Sequence, residues 1–278
     1  MKAGGRNYAP GQVAIPPTRN SALTRSITAF RAPSLPERSH QMRTLIFTLS
    51  FIFLTSMCSA QEILLFGTGP DGALVNRFLS KEGTPADWRV ENGELISTSR
   101  PVDEQNPVRS NHVYSAEFFR DALIHVEFMV QPEAHGNSGV YIHGNYEMQI
   151  YDSADMTELN DQDLTGAIYH ISAPKVNASK PVGEWQTYEI EYHAPRRDDE
   201  GKIIQNGRIT AWLNGQLVQE NAEFGEPVSQ FHPYRYGATE NLRKIWENQI
   251  MTGYGPFFLQ DHQSPTRFRN IWIKKLEE

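Results

Sequence analysis

The chain has 278 residues, 33 of them acidic, 26 basic and one a cysteine. Residues 1–60 hold seven of the basic residues and one of the acidic ones, so residues 61–278 carry a net charge of −13, which repels phosphate backbones and argues against nucleic acid as a partner. The one cysteine is Cys58, so the chain beyond it has no disulfide, no cysteine nucleophile and no cysteine metal ligand.

Residues 1–41 are rich in Pro, Ser, Thr, Arg and Gly and have no periodicity of 2 or 3.6. They read as a disordered or mis-annotated leader. Residues 42–60 follow the pattern of a secretory signal peptide: basic Arg43, an apolar run over 45–54, and a small-residue cleavage site at Cys58-Ser59-Ala60. The apolar run is too short to remain as a membrane-spanning helix. Cleavage before Gln61 predicts an exported protein, periplasmic or extracellular; lipid anchoring through Cys58 is the weaker alternative, because Thr55-Ser56-Met57 is a poor approach to a lipidated cysteine. Residues 61–278 are then a single domain with no transmembrane segment and no implied protein partner.

Within 61–278, turn signals recur every eight to twelve residues, including Asn92-Gly93, Gly144-Asn145, Asn206-Gly207 and Asn214-Gly215. Between them lie short runs of period two. Residues 122–130 place Ile124, Val126, Phe128 and Val130 on one face and His125, Glu127 and Met129 on the other. Runs at 185–192, 208–213, 216–219, 255–260 and 268–274 follow the same rule, and Asn214-Gly215 supplies the positive φ angles of a tight hairpin. Residues 196–206 read as an exposed charged excursion, 220–248 as a long surface connection, and 239–250 as the one short helix. Many short strands at regular spacing predict an all-β sandwich or barrel.

The segment 136–153, GNSGVYIHGNYEMQIYDS, carries the densest chemistry. Val140, Ile142, Met148 and Ile150 alternate with Tyr141, His143, Glu147, Gln149 and Tyr151. A sheet face of this kind suits sugars: carboxylates and amides satisfy hydroxyls, and aromatic rings cover the apolar ring faces. Glu147 and Gln149 are two apart and share a face. Glu147 and Asp152 are an odd number apart and point to opposite faces unless a bulge intervenes, which disfavours a two-carboxylate glucanase.

The blocks NSGVYIHG, YEMQIYDS, TGAIYHISAP, KPVGEWQTYEIEYHAP, AWLNGQLV and GPFFLQDHQSPTRFRNIWIKKL, in this order, resemble the 3-keto-disaccharide hydrolase domain family over roughly residues 63–276. The resemblance implies a concanavalin A-like jelly roll of two curved antiparallel sheets with ligands on the concave face. It also implies an exported hydrolase acting on 3-keto-glycosides. Many members carry Arg where this chain has His143.

On that expectation the ketone at C3 acidifies the C2 proton, a base removes it, the C1 substituent leaves by β-elimination, and water adds back. His143 or His262 suits the base, with Asp261 orienting His262. Glu147 suits the acid. Gln149, Arg269 or a divalent metal could hold the enolate oxygen; His125, Glu127, Tyr141, His143 and His262 could converge on such a metal, although no spacing among them is diagnostic. Tyr141 and Tyr169 suit stacking on sugar. Trp88, Trp185, Trp212 and Trp272 read as packing, and Arg269 reads equally as an ion-pair partner. A non-catalytic carbohydrate-binding module on the same sheet is the alternative, since it needs Tyr141, Glu147 and Gln149 but no general base.

Overall fold

A computed structural model describes residues 61–97, 111–132, 136–229, 231–234, 239–262 and 264–276. The leader at 1–41 and the signal segment at 42–60 lie outside the described residues. In chain order the strands are β1 (Glu62–Thr68), β2 (Leu74–Asn76), β3 (Phe78–Ser80), β4 (Arg89–Glu91), β5 (Glu94–Ile96), β6 (Val113–Phe119), β7 (Ala122–Val130), β8 (Asn137–Ile142), β9 (Tyr146–Tyr151), β10 (Gln186–His193), β11 (Arg196–Arg197), β12 (Ile203–Gln205), β13 (Gly207–Leu213), β14 (Gln216–Phe224), β15 (Gly255–Leu259) and β16 (Thr266–Lys275). A single described helix, α1 (Glu240–Thr252), lies between β14 and β15.

The strands build two antiparallel sheets. The larger runs β14-β13-β10-β7-β16-β1-β2, with β5 on β16 and β4 on β5; the smaller runs β3-β6-β15-β8-β9. Their facing sides form the interior. Ile124, Val126 and Phe128 of β7 pack in one cluster with Val140 and Ile142 of β8 and with Met148 and Ile150 of β9, all fully buried. The period-two reading of β7 is borne out, and so is the all-β concanavalin A-like jelly roll. The hairpin between β13 and β14 turns at Asn214 and Gly215, with φ of 52° and 79°, the positive pair a type I′ turn requires.

One reading of the later chain is sharpened and another corrected. The excursion at 196–206 is exposed over much of its length and folds into a small hairpin, β11 with β12, held to the body by Arg196, whose Nη2 donates to Asp121 Oδ2 at 2.5 Å. Residues 220–248 are not a surface connection throughout. Strand β14 extends to Phe224, and Tyr234, Leu242, Ile245 and Trp246 pack on Tyr114, Tyr141 and Phe258 as a second apolar cluster on the outer face of the smaller sheet. Helix α1 starts where Thr239 Oγ1 accepts the Leu242 N–H at 3.2 Å, and ends where Gly253 takes φ of 73° and donates to Gln249 O. Beyond the cluster, Glu147 and Gln149 of β9 and Gln260 past the end of β15 are also buried, and exposure returns at His262.

Candidate functional site

The site begins with strand register. Tyr141 of β8 is directly opposite Glu147 of β9, and both point away from the interior. Gly139, two residues before Tyr141, leaves the room that the Glu147 carboxyl occupies: a Cβ there would lie 2.3 Å from Glu147 Oε1. Beyond the end of β15, the Gln260 backbone N–H donates to Gly139 O at 2.9 Å, and its Nε2 donates to Tyr141 Oη at 3.1 Å. From the other side the Tyr169 N–H donates to Glu147 O at 2.9 Å, which brings the half-buried Tyr169 ring to the rim.

Glu147 is 4% exposed. Burial drives its pKa from 4.5 up to about 8, against the opposing pull of the Tyr141 hydroxyl and the Gln260 amide. At neutral pH this carboxyl carries its proton. Tyr141 is fully buried, and burial followed by the Glu147 charge pushes its hydroxyl upward, so it stays a neutral phenol. Gln260 Oε1 is buried with no hydrogen-bond partner among the described residues.

One more side chain belongs here that the sequence reading missed. Val113 of β6 pairs with Leu259 of β15, which brings His112 beside Gln260 and Asp261. The Asp261 backbone N–H donates to His112 Nδ1 at 3.1 Å, and the His112 ring stands beside that of Tyr141, centroids 6.2 Å apart. Burial holds the His112 imidazole down to a pKa of about 3, with further depression from the nearby charges of His262 and Lys81. His262 itself is exposed. The signal for His112 is the pairing of strand starts and ends, which no local pattern reveals.

The structure thus brings Glu147, Tyr141, Tyr169, Gln260, Asp261 and His262 together with His112. It separates four other expected residues from them, and each departure has a physical cause. His143 sits in the turn between β8 and β9 with φ of 55°. The left-handed turn breaks strand alternation and sends the ring into the sandwich, 5.0 Å from Phe119 and 4.8 Å from Tyr192, centroid to centroid. Burial drops its pKa to about 3. It lines a small cleft of about 100 Å³ with Arg120, Arg196 and the end of α1, away from Glu147.

His125, Glu127 and Arg269 lie on the larger sheet, whose outer face is on the opposite side of the molecule from that of the smaller one. A bulge in β16 turns both Arg269 and Asn270 outward, and Asn270 takes φ of 47°. Arg269 Nε donates to Glu127 Oε2 at 2.6 Å and Asn270 Nδ2 to Glu127 Oε1 at 2.9 Å. The Arg269 guanidinium lies 3.9 Å above the Trp185 ring, and His125 stacks on Trp272 at 5.0 Å while meeting Glu189 at 2.6 Å.

Two further roles are also corrected. Gln149 shares the Glu147 face, but its amide is spent: Nε2 donates to Gln162 O at 2.5 Å and Oε1 accepts the Ile150 N–H. The Tyr141 ring is fully buried in the cluster with α1 and has no exposed stacking face, and its hydroxyl accepts from Gln260 Nε2. Asp152, the other half of a glucanase pair, is exposed beyond the end of β9. Among the described residues, no group of three or more His, Cys, Asp or Glu side chains is gathered for a metal ion, and no helix is long and apolar enough to cross a membrane.

Fold and site together define a jelly-roll sandwich with a buried, protonated carboxyl on the outer face of its smaller sheet. Residues 65–274 match the 3-keto-alpha-glucoside-1,2-lyase-like domain, and the chain belongs to that family. Among solved structures it is similar to a candidate glycosyl hydrolase from Parabacteroides distasonis ATCC 8503, at 27% identity and a TM-score of 0.59, covering 77% of this chain and 84% of that one. Two more candidate glycosyl hydrolases from that organism match at 21% and 18% identity, with TM-scores of 0.47 and 0.48. They cover 72% and 78% of this chain and 89% and 100% of their own. No curated protein matches the chain.

Proposed function

We propose that this chain cleaves 3-keto-glycosides, with Glu147 as the general acid. The observation that carries this reading is a carboxyl that keeps its proton at neutral pH beside a tyrosine hydroxyl, at the rim where His262 is exposed. His262 takes the C2 proton. The electron pair moves into the C2–C3 bond, and the C3 oxygen becomes an enolate. Collapse of the enolate forms the C1–C2 double bond and expels the C1 oxygen, which receives the Glu147 proton. Water then adds at C1, and the net change is hydrolysis. Export is part of the proposal: β1 begins at Glu62, one residue past the expected cleavage point, and N-terminal sequencing of the secreted protein should begin at Gln61.

The acid role makes a separable prediction. Glu147→Gln keeps the shape and removes the proton. Turnover of a 3-keto-disaccharide, whose alkoxide leaves poorly, should fall by about 10²–10⁴, while a 3-keto-glucoside of nitrophenol, whose leaving group needs no acid, should still be cleaved. Equal loss on both substrates removes Glu147 from this role. A wild-type rate that fails to decline above pH about 8, where Glu147 loses its proton, does the same. Wild-type protein that retains keto-sugar or unoxidised oligosaccharide without turning either over would instead make this face a binding module.

A further inference from the structure

Elimination through an enolate needs a donor at the C3 oxygen. The two side chains expected to supply it are engaged elsewhere: Gln149 holds Gln162 and the Ile150 amide, and Arg269 holds Glu127 on the other sheet. The geometry points to His112 as the donor. We propose that His112 Nε2–H binds the C3 carbonyl oxygen of the keto-sugar and stabilises it as negative charge develops. This inference rests on the function proposed above.

The argument turns on a backbone hydrogen bond. The Asp261 N–H points at His112 Nδ1, 3.1 Å away. A nitrogen that accepts a hydrogen bond carries no proton, so the proton of the neutral ring must be on Nε2. The tautomer is thus set by the main chain. It leaves His112 a donor only, the complement of a ketone or enolate oxygen, which only accepts. The exposed His262 and the half-buried Lys81, both close enough to act on the ring, would oppose a second proton on it.

The position of the ring is fixed as firmly as its proton. Asn111, one residue back, gives its carbonyl to the indole N–H of the core residue Trp88 at 2.7 Å. Val113, one residue on, opens β6 and pairs with Ser80 of β3, and the ring stands against Tyr141. Gln260, whose Oε1 is buried without a partner among the described residues, is on the same edge and would accept the hydroxyl next to the ketone. A C3 hydroxyl can accept from Nε2–H as well, but it develops no negative charge, so the donor favours the ketone as it becomes an enolate. A preorganised donor of this sort costs nothing to reorganise as charge forms.

Two variants separate the halves of the ring. His112→Asn keeps an oxygen near Nδ1 for the Asp261 N–H and loses the donor at Nε2; His112→Gln keeps a donor near Nε2 and loses the acceptor. With a 3-keto-glycoside, His112→Asn should lower kcat by about 10²–10³ with little change in KM. Exchange of the C2 proton with solvent deuterium should slow in parallel, and His112→Gln should recover part of both rates. Folded His112→Asn that turns over and exchanges at wild-type rates overturns the proposal and leaves the proposed function standing. Ring ¹⁵N spectra of the wild type make the second measurement, and proton on Nδ1 also overturns it. If the wild type cleaves no keto-glycoside, yet a 3-keto-sugar shifts the His112 Nε2–H signal further than its unoxidised counterpart does, the activity falls and recognition by His112 stands. Neither turnover nor shift removes both.

Discussion

Glu147 is a liability to the fold that the function would need. A buried carboxyl with no cationic partner among the described residues keeps its proton, because the charged form loses more hydration than the Tyr141 hydroxyl and Gln260 amide restore. Its folded pKa, about 8, is above the ordinary 4.5. Between those values the folded chain holds a proton that the unfolded chain releases. The stability linked to this group is therefore complete below pH 4.5, declines as pH rises, and has gone once pH passes the folded value. Glu147→Gln has no such proton to lose. Urea melts of the two proteins should give similar stability near pH 5, with the variant gaining on the wild type up to pH about 8 and a constant gap beyond. A gap that does not widen with pH would show the carboxyl to be solvated. Gly139 supports the same arrangement: Gly139→Ala places a methyl 2.3 Å from Glu147 Oε1 and should cost about 1–3 kcal/mol. Its loss of activity, measured where the variant is still folded, should exceed that of a variant equally destabilised in the core.

At the scale of elements, strands were legible and their partners were not. Residues 122–130 announce β7 because one face is apolar and the other polar, and residues 239–250 announce α1 because Thr239 and Gly253 bracket them. Period two says which side chains share a face of one strand. It does not say which sheet that strand joins. Pattern alone therefore groups His125 and Glu127 with Glu147, and it gives no signal for His112, just before a strand that meets the end of β15. His143 was misread for a local reason, since alternation stops at a turn with positive φ. Helix α1 and the segment before it show how far one cap reaches. Thr239 Oγ1 accepts from Leu242 N and also donates to Lys81 O at 2.5 Å, tying the helix start to the loop after β3. Thr239→Ala should cost about 1 kcal/mol for the cap and a similar amount for the second bond, a fall in melting midpoint of about 2–4 °C per kcal/mol. Because α1 covers Tyr141 and Tyr114, hydrogen exchange of the α1 and β8 amides should quicken together. Faster exchange confined to the first turn of α1 would mean that the cap does not hold the cover in place.

The described part of residues 61–276 has two main sheets with one shared interior and two outer faces of different kinds. On the outer face of the smaller sheet α1 packs in a cluster with Tyr114, Tyr141 and Phe258, and Glu147, Gln260 and His112 are buried on the side where His262 is exposed. The larger sheet bears a lattice in which each group has a partner: Glu127 takes bonds from Arg269 and Asn270, Arg269 covers Trp185, and His125 covers Trp272. Arg269 and Asn270 draw the Glu127 carboxyl below the usual carboxylate range, the opposite of Glu147, although burial opposes the shift. One carboxylate is held charged by the Arg269 and Asn270 donors; the other is held neutral by burial, which outweighs the pull of the Tyr141 hydroxyl and the Gln260 amide. The first pattern is a brace and the second a reactive group, and the two are separable by experiment. Arg269→Ala removes one of the two donors to Glu127 and the cover of Trp185. With Arg269 partly exposed, the loss should be about 1 kcal/mol, seen as a lower melting midpoint at neutral pH. That deficit should shrink as acid protonates Glu127. The rate on a 3-keto-glycoside, measured well below the melting midpoint, should stay at the wild-type value. Arg269→Ala that melts normally but has lost its turnover would move the chemistry to the larger sheet and leave the protonated Glu147 without a task.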